Sequence, residues 1–166
     1  MRYLLDTNVV SELVRTRPDE QVVAWLRGLR THQIYLSVLT VGEIRTGVQR
    51  LMSRDAARAT ALETWVHGLE ETYGDRILPV TLEIAQRWPA VHAARPLPVV
   101  DSLLAATALA HGLTVATRNP RDFVTCGGPV VSPVSSPLSL MHISEPTRRV
   151  GSRSFAPRAI RASGVE

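Results

Sequence analysis

Four carboxylates, Asp6, Glu43, Asp101 and Asp122, have the residue type and the settings for joint chemistry. Asp6 and Asp101 interrupt strongly apolar surroundings, Tyr3-Leu-Leu-Asp6 and Pro98-Val-Val-Asp101-Ser-Leu-Leu. An ionised carboxyl is costly there unless it is paired or used. If folding brings the four together, their repulsion must be relieved: two carboxylates about 4 Å apart repel by roughly 4 kcal/mol at an effective dielectric near 20, so such a cluster takes up protons or a cation. An all-oxygen donor set without His or Cys selects a hard divalent ion, Mg²⁺ or Mn²⁺. Such an ion activates water and stabilises a phosphodiester as it is cleaved, which makes nucleic-acid hydrolysis the working hypothesis.

Each acid also has an ordinary structural use. Asp6 and Asn8 can cap a first helix, and Thr40-Val-Gly-Glu43 fits a capping box. Asp101 complements a helix dipole, and Asn119-Pro-Arg-Asp122 is common turn chemistry. Convergence of all four is what separates the two readings.

Composition removes other mechanisms. All 19 basic residues are Arg and none is Lys, which excludes Schiff-base enzymes, Walker-type NTPases and protein kinases. His32, His67, His92, His111 and His142 lack metal or triad spacing, and no G-x-S-x-G or H-E-x-x-H occurs. Trp25, Trp65 and Trp88 lie in helical segments and are expected to pack rather than stack on bases. Arg45, Arg118 and Arg121 flank the proposed site, where they can hold phosphates or stand as solvated surface charges.

The positioning elements follow from periodicity. Arg2 to Leu5 is a short apolar run suited to a buried strand of a parallel sheet. A helix is expected after it, with Asn8 as N-cap and Val9, Val10, Leu13 and Val14 in period; a second helical segment carries Val22, Val23, Leu26 and Leu29. Gln33 to Ser37 reads as a strand. Val41, Ile44, Val48 and Leu51 form the stripe of a helix from Thr40, with Glu43 in its first turn. Asp55 to Tyr73 is a longer helix, Arg76 to Val80 a strand, and Thr81 caps a helix through Ile84, Ala85 and Trp88. Val99 to His111 is an apolar, largely buried helix that carries Asp101 in its first turn and closes on Gly112. Leu113 to Ala116 is a fourth strand, Thr117 to Phe123 a polar loop or helical turn, and Pro129 to Val131 a fifth strand. Strands alternating with helices imply βαβ units. Asp6 and the other acids then lie at the carboxyl edge of the sheet, where such folds bind ligands.

The 166 residues are 45% apolar and 20% charged, which fits one domain with a real core. No apolar run reaches the roughly 18 residues of a membrane span. The start of the chain has too short an apolar stretch for a signal peptide, and the single Cys126 makes no internal disulfide; a cytoplasmic location without membrane contact is expected. Net charge is +4, but residues 1–134 hold 14 Arg against 13 acids, so the basicity sits in residues 135–166 and says little about the folded surface. In that tail, Pro, Gly, Ser and Arg fill 17 of 32 positions, and Leu140 to Arg149 resembles translated adapter sequence. Residues 135–166 are therefore set apart as a disordered or non-native tail, and 1–134 as the domain.

Four ordered blocks carry a family resemblance: Tyr3-Leu-Leu-Asp-Thr-Asn-Val-Val-Ser-Glu12, Ser37-Val-Leu-Thr-Val-Gly-Glu-Ile-Arg-Thr-Gly47, Pro98-Val-Val-Asp-Ser-Leu-Leu-Ala-Ala-Thr-Ala108 and Val115-Ala-Thr-Arg-Asn-Pro-Arg-Asp-Phe123. Together they resemble the PIN-domain ribonucleases, in particular VapC- or FitB-like toxins of toxin–antitoxin pairs. The resemblance implies a three-layer α/β/α fold with a central parallel sheet of four to five strands. It implies Asp6 and Asp101 as principal metal ligands, Glu43 as a further acid acting directly or through water, Asp122 as the fourth member, and Thr7, Asn8, Thr117 and Asn119 as support. It also implies an Mg²⁺- or Mn²⁺-dependent endoribonuclease with an RNA substrate, a homodimer, and a cognate antitoxin. Asp6-Thr-Asn8 is similar as well to the nucleophile motif of haloacid-dehalogenase-like phosphatases. However, Asn8 replaces that family's second aspartate, and its lysine has no counterpart. A catalytically inactive PIN-like module that only binds RNA or protein is the alternative from another class, and the intact acids speak against it.

Overall fold

Tyr3, Leu4 and Leu5 are all buried. Alternate residues of a strand face opposite sides of the sheet, and here Tyr3 and Leu5 enter one apolar cluster while Leu4 enters another. A strand buried on both faces belongs to the interior of a parallel sheet with helices on each side. In the computed structural model, which describes residues 1–94 and 97–134, this segment is β1 (Tyr3–Leu5), the centre of a five-stranded sheet. Its companions are β2 (Ile34–Ser37), β3 (Ile77–Leu78), β4 (Thr114–Ala116) and β5 (Val130–Val131), in the order β3-β2-β1-β4-β5. Every pairing is parallel, with Tyr3 opposite both Ile34 and Thr114.

The helices are α1 (Thr7–Val10), α2 (Glu20–Gly28), α3 (Val38–Met52), α4 (Ala56–Tyr73), α5 (Leu82–Ala94), α6 (Val99–His111) and α7 (Pro120–Phe123). Trp25 of α2, Ile44 and Val48 of α3, and Val66 and Leu69 of α4 pack with Tyr3, Leu5 and Leu36 on one face. Ile84 and Val91 of α5 and Leu104 to Ala106 of α6 pack with Leu4 and Val115 on the other. The α/β/α sandwich expected from the alternating pattern is therefore present, with all five strands. Among the described residues no helix is long and apolar enough to cross a membrane. Residues 135–166, set apart above as a tail, lie outside the described residues.

The chain runs outward from β1 to β2 and β3, then returns to lay β4 and β5 on the opposite side of β1. The order of strand addition reverses between β1 and β4. Loops leaving two such strands diverge to opposite faces, which opens a crevice at their carboxyl ends. Asp6 follows β1 and Thr117 follows β4, so both stand at that crevice.

Several element boundaries differ from expectation for local reasons. The first helix begins at Thr7, with Asp6 rather than Asn8 in the N-cap position, and Asp6 makes no side-chain capping bond. After one turn the helix tightens into a 3-10 segment, Ser11–Val14. The α3 helix starts at Val38 because the Ser37 hydroxyl accepts the Leu39 amide, which moves Glu43 into the second turn and dissolves the Thr40–Glu43 capping box. Thr40 instead donates to the Leu5 carbonyl at 3.3 Å and ties α3 to β1. The α5 helix continues past Trp88 to Ala94 with Pro89 inside it.

Gly112 ends α6 in the left-handed region, φ +60°, and its amide reaches back to the Ala108 and Leu109 carbonyls. No atom crowds the position of a Cβ there, so the cost of a side chain is backbone strain alone. Gly112→Ala is expected to lower stability by about 1 kcal/mol, seen as a lower urea midpoint at unchanged slope.

Candidate active site

The crevice between β1 and β4 opens into a pocket of about 320 Å³ lined by Asp6, Thr7, Asn8, Glu43, Asp101, Asn119, Asp122 and Phe123. All four expected acids line it, each from a different element. Asp6 directly follows β1, Glu43 projects from the second turn of α3, Asp101 from the first turn of α6, and Asp122 from α7. A larger cavity of about 660 Å³ beside α2 and α4 has no Asp or Glu in its lining, so acid chemistry belongs to the smaller pocket.

Asp6 is the best held of the acids. It is only 7% exposed. Its Oδ2 accepts the Thr117 hydroxyl at 2.7 Å and the Asn8 side-chain amide at 2.6 Å. Burial pushes its carboxyl above the usual carboxylate range, the hydrogen bond from Thr117 and the nearby amides of Thr7 and Asn8 pull it down, and Glu43 pushes it up again. Thr117, fully buried, lies behind the pocket wall and acts through Asp6. Its single hydroxyl proton goes to Asp6, while its oxygen accepts from Asn8 Nδ2 and the Asn119 amide, both at 3.1 Å.

The other acids are tethered more lightly. The Thr7 hydroxyl donates to Glu43 Oε2 at 2.5 Å, and the Asn119 side chain donates to Asp122 Oδ2. Asp101 is pushed up to about 6, first by burial and then by the charges of Asp6, Glu43 and Asp122. Burial and the three neighbouring charges both disfavour its ionised form. A group in this state takes up a proton or welcomes a cation.

The donor set is oxygen throughout, as a hard divalent ion requires. Among the described residues no three Asp, Glu, His or Cys side chains converge into a ready-made ligand cluster. The lining chemistry suits an ion of the Mg²⁺ type, which keeps several waters and binds through one or two carboxylates.

Two of the three flanking arginines depart from the phosphate-holding alternative. Arg45 donates to Glu70 at 2.8–3.0 Å and to Glu63, which raises its already high pKa further and directs its guanidinium along α4. Arg118 donates to Glu12 Oε1 at 2.5 Å. Trp25 is 2% exposed and meets Tyr3 edge-on at 5.0 Å, and Trp88 donates to Ser102 at 2.8 Å, as expected of packing residues. Glu12 lies outside the pocket lining, yet it is 1% exposed. Its signal was present: a carboxylate between Val9, Val10, Leu13 and Val14, three residues from Val9 and so on the same helical face.

The PIN domain family model matches residues 3–125. The chain belongs to the PIN-domain family. Toxin FitB of Neisseria gonorrhoeae is 36% identical over 135 residues, spanning 78% of this chain and 96% of that protein. VapC ribonuclease Y4jK of Sinorhizobium fredii is 32% identical over 136 residues, with the same two coverages. Among solved structures, the FitAcB complex of Neisseria gonorrhoeae superposes with a TM-score of 0.76 at 34% identity, covering 81% of this chain and 99% of that one. The matched span of this PIN domain contains Asp6, Glu43, Asp101 and Asp122, together with the supporting Thr7, Asn8, Thr117 and Asn119.

Proposed function

We propose that this PIN-domain protein is an endoribonuclease dependent on Mg²⁺ or Mn²⁺ and acts as the toxin of a toxin–antitoxin pair. The observation that carries the chemistry is that four carboxylates line one pocket, with Asp101 pushed up to about 6 by burial and then by the other three. The biological role rests on relatives that are named as a toxin and as a ribonuclease. Restraint by a cognate antitoxin belongs to the same reading, supported by a neighbour solved as a toxin–antitoxin complex from Klebsiella pneumoniae, and a homodimer is proposed on the family resemblance alone.

Asp6 and Asp101 would hold the ion directly, with Glu43 and Asp122 acting through water or as further ligands. When bound, the ion supplies an acidified water and neutralises charge building on the phosphodiester. The chain's own residues prepare that site. Thr117 and Asn8 fix the rotamer of Asp6 and favour its ionised form. Thr7 orients Glu43 across the pocket, and Asn119 orients Asp122. The acids repel an RNA backbone until a cation is present, so substrate binding and metal binding are coupled by charge.

Purified full-length protein, freed of antitoxin, is expected to cleave RNA in Mg²⁺ or Mn²⁺, to stop in EDTA, and to recover when Mn²⁺ is added in excess. Undiminished cleavage in EDTA contradicts the mechanism. Expression alone is expected to arrest growth, and coexpression of a small gene adjacent to the coding sequence to relieve it. Cleavage without arrest leaves the nuclease and removes the toxin.

A further inference from the structure

Glu12 is a charged side chain with 1% of its surface exposed, and such a group persists only where donors satisfy it. Three donors do so: Arg15 Nη1 at 2.8 Å, the Asp19 amide at 2.7 Å and Arg118 Nη1 at 2.5 Å. Arg15 and Asp19 are near in sequence and account for local anchoring of the turn before α2. Arg118 comes from the loop after β4, on the far side of the crevice, and its other end lies 3.7 Å from Asp19.

The backbone of Arg118 joins the same construction. Its amide donates to Asn8 Oδ1 at 3.0 Å, while Asn8 Nδ2 reaches Asp6 and Thr117. On either side of Arg118 stand Thr117, which donates to Asp6, and Asn119, which donates to Asp122. One side chain thus fastens a three-residue segment whose other members hold two of the four acids. The segments it joins, Asp6–Glu12 and Thr117–Asn119, are the two lips of the crevice.

We propose that the buried Glu12 and the partly exposed Arg118 form a clamp of positioning residues that fixes the β4 loop against the β1 loop and so sets the spacing of Asp6 and Asp122 for the divalent ion. Arg118 is spent in this clamp rather than on RNA phosphate. Removing either partner lets Thr117 and Asn119 drift together, which weakens the metal site without touching it. Losses of about ten- to a hundredfold are the usual consequence of deleting a support behind a metal ligand. Because Glu12 and Arg118 act through one contact, the double variant is expected to be no worse than the more severe single one.

This inference rests on the metal-dependent reading above, and its test separates the two. Full-length protein and the variants Arg118→Met, Glu12→Gln and their combination are compared with Val66→Ala, a core truncation on α4 remote from the pocket. Mn²⁺ affinity is measured by titration of the metal-free protein, and amide exchange at residues 117–119 in the same state. Turnover and KM are measured on end-labelled random-sequence RNA. The clamp variants are expected to bind Mn²⁺ at least about tenfold more weakly, to exchange the Arg118 amide faster, and to lose turnover at unchanged KM. Val66→Ala lowers the melting temperature alone.

A raised KM for Arg118→Met, with a salt dependence of RNA binding reduced by about one and Mn²⁺ affinity intact, identifies a phosphate contact and overturns the proposal. So does a pair of variants indistinguishable from Val66→Ala in Mn²⁺ affinity and exchange. If Glu12→Gln does not fold, Arg118→Met alone decides. If the unmodified chain binds Mn²⁺ but leaves RNA intact, the nuclease reading fails while the metal and exchange measurements still judge the clamp.

Discussion

Replacing Asp101 with Asn is expected to cut RNA turnover by roughly a hundred- to a thousandfold, the range for removing one preorganised group that stabilises transition-state charge, and at the same time to make the protein more stable. The second half follows from the direction of the shift. Asp101 is raised from an ordinary 3.8 to about 6 in the folded protein, so between those values the folded state binds more protons than the unfolded one. Stability conferred by the protonated acid is present below about pH 4 and is lost as pH rises through about 6. Above that the wild-type protein carries the full repulsion of Asp6, Glu43 and Asp122. A shift of this size corresponds to about 3 kcal/mol before solvent screening at a half-buried group reduces it to about 1 kcal/mol.

Asn is neutral at every pH and escapes the penalty. Thermal melts at pH 7.5 without divalent ion are expected to show Asp101→Asn about 3 °C above wild type, with the difference vanishing near pH 4. Mn²⁺ should reverse the ranking at pH 7.5 by stabilising the wild type alone. A variant that loses both activity and stability at neutral pH indicates that Asp101 is a structural residue.

Thr117→Val is expected to have the second largest effect. Valine keeps the volume of a fully buried threonine and discards its hydroxyl. Asp6 Oδ2 then loses its 2.7 Å donor, and Asn8 Nδ2 and the Asn119 amide lose a common acceptor. Because the hydrogen bond from Thr117 is what most opposes the burial of Asp6, its removal sends that carboxyl further upward and favours the protonated, non-binding form. The Mn²⁺ concentration for half-maximal cleavage is expected to rise about ten- to a hundredfold. Stability should fall by about 1–3 kcal/mol from the unsatisfied buried groups. Thr117→Ser, which retains the hydroxyl, should recover most of the metal affinity. Equal defects in the valine and serine variants would point to packing instead of the hydrogen bond.

The legible and illegible parts of this molecule divide along a physical line. Strand β1 and helix α6 are strongly apolar, so their burial and the exceptional status of Asp6, just after the first, and Asp101, within the second, are legible directly. Strand alternation with helices then placed both acids at one edge of the sheet. Glu43 was placed one turn too early because Ser37 and Thr40 both suit an N-cap, and only the bond from Thr40 to the Leu5 carbonyl decides between them. The pairing of Arg118 with Glu12 spans 106 residues, and that of Arg45 with Glu70 spans 25. No local pattern reports such partners. Likewise helical periodicity does not report the change from α-helix to 3-10 turn at Ser11.

Titration of the metal-free, full-length protein with Mn²⁺ at pH 7.5, followed by calorimetry, bears most directly on the pocket. Saturable binding is expected, abolished in Asp6→Asn and Asp101→Asn, with little proton release at pH 7.5 and a larger release when the titration is repeated near pH 6, where the Asp101 carboxyl is about half protonated. Binding that survives in both variants, or heat no greater than dilution for the wild type, would contradict the account.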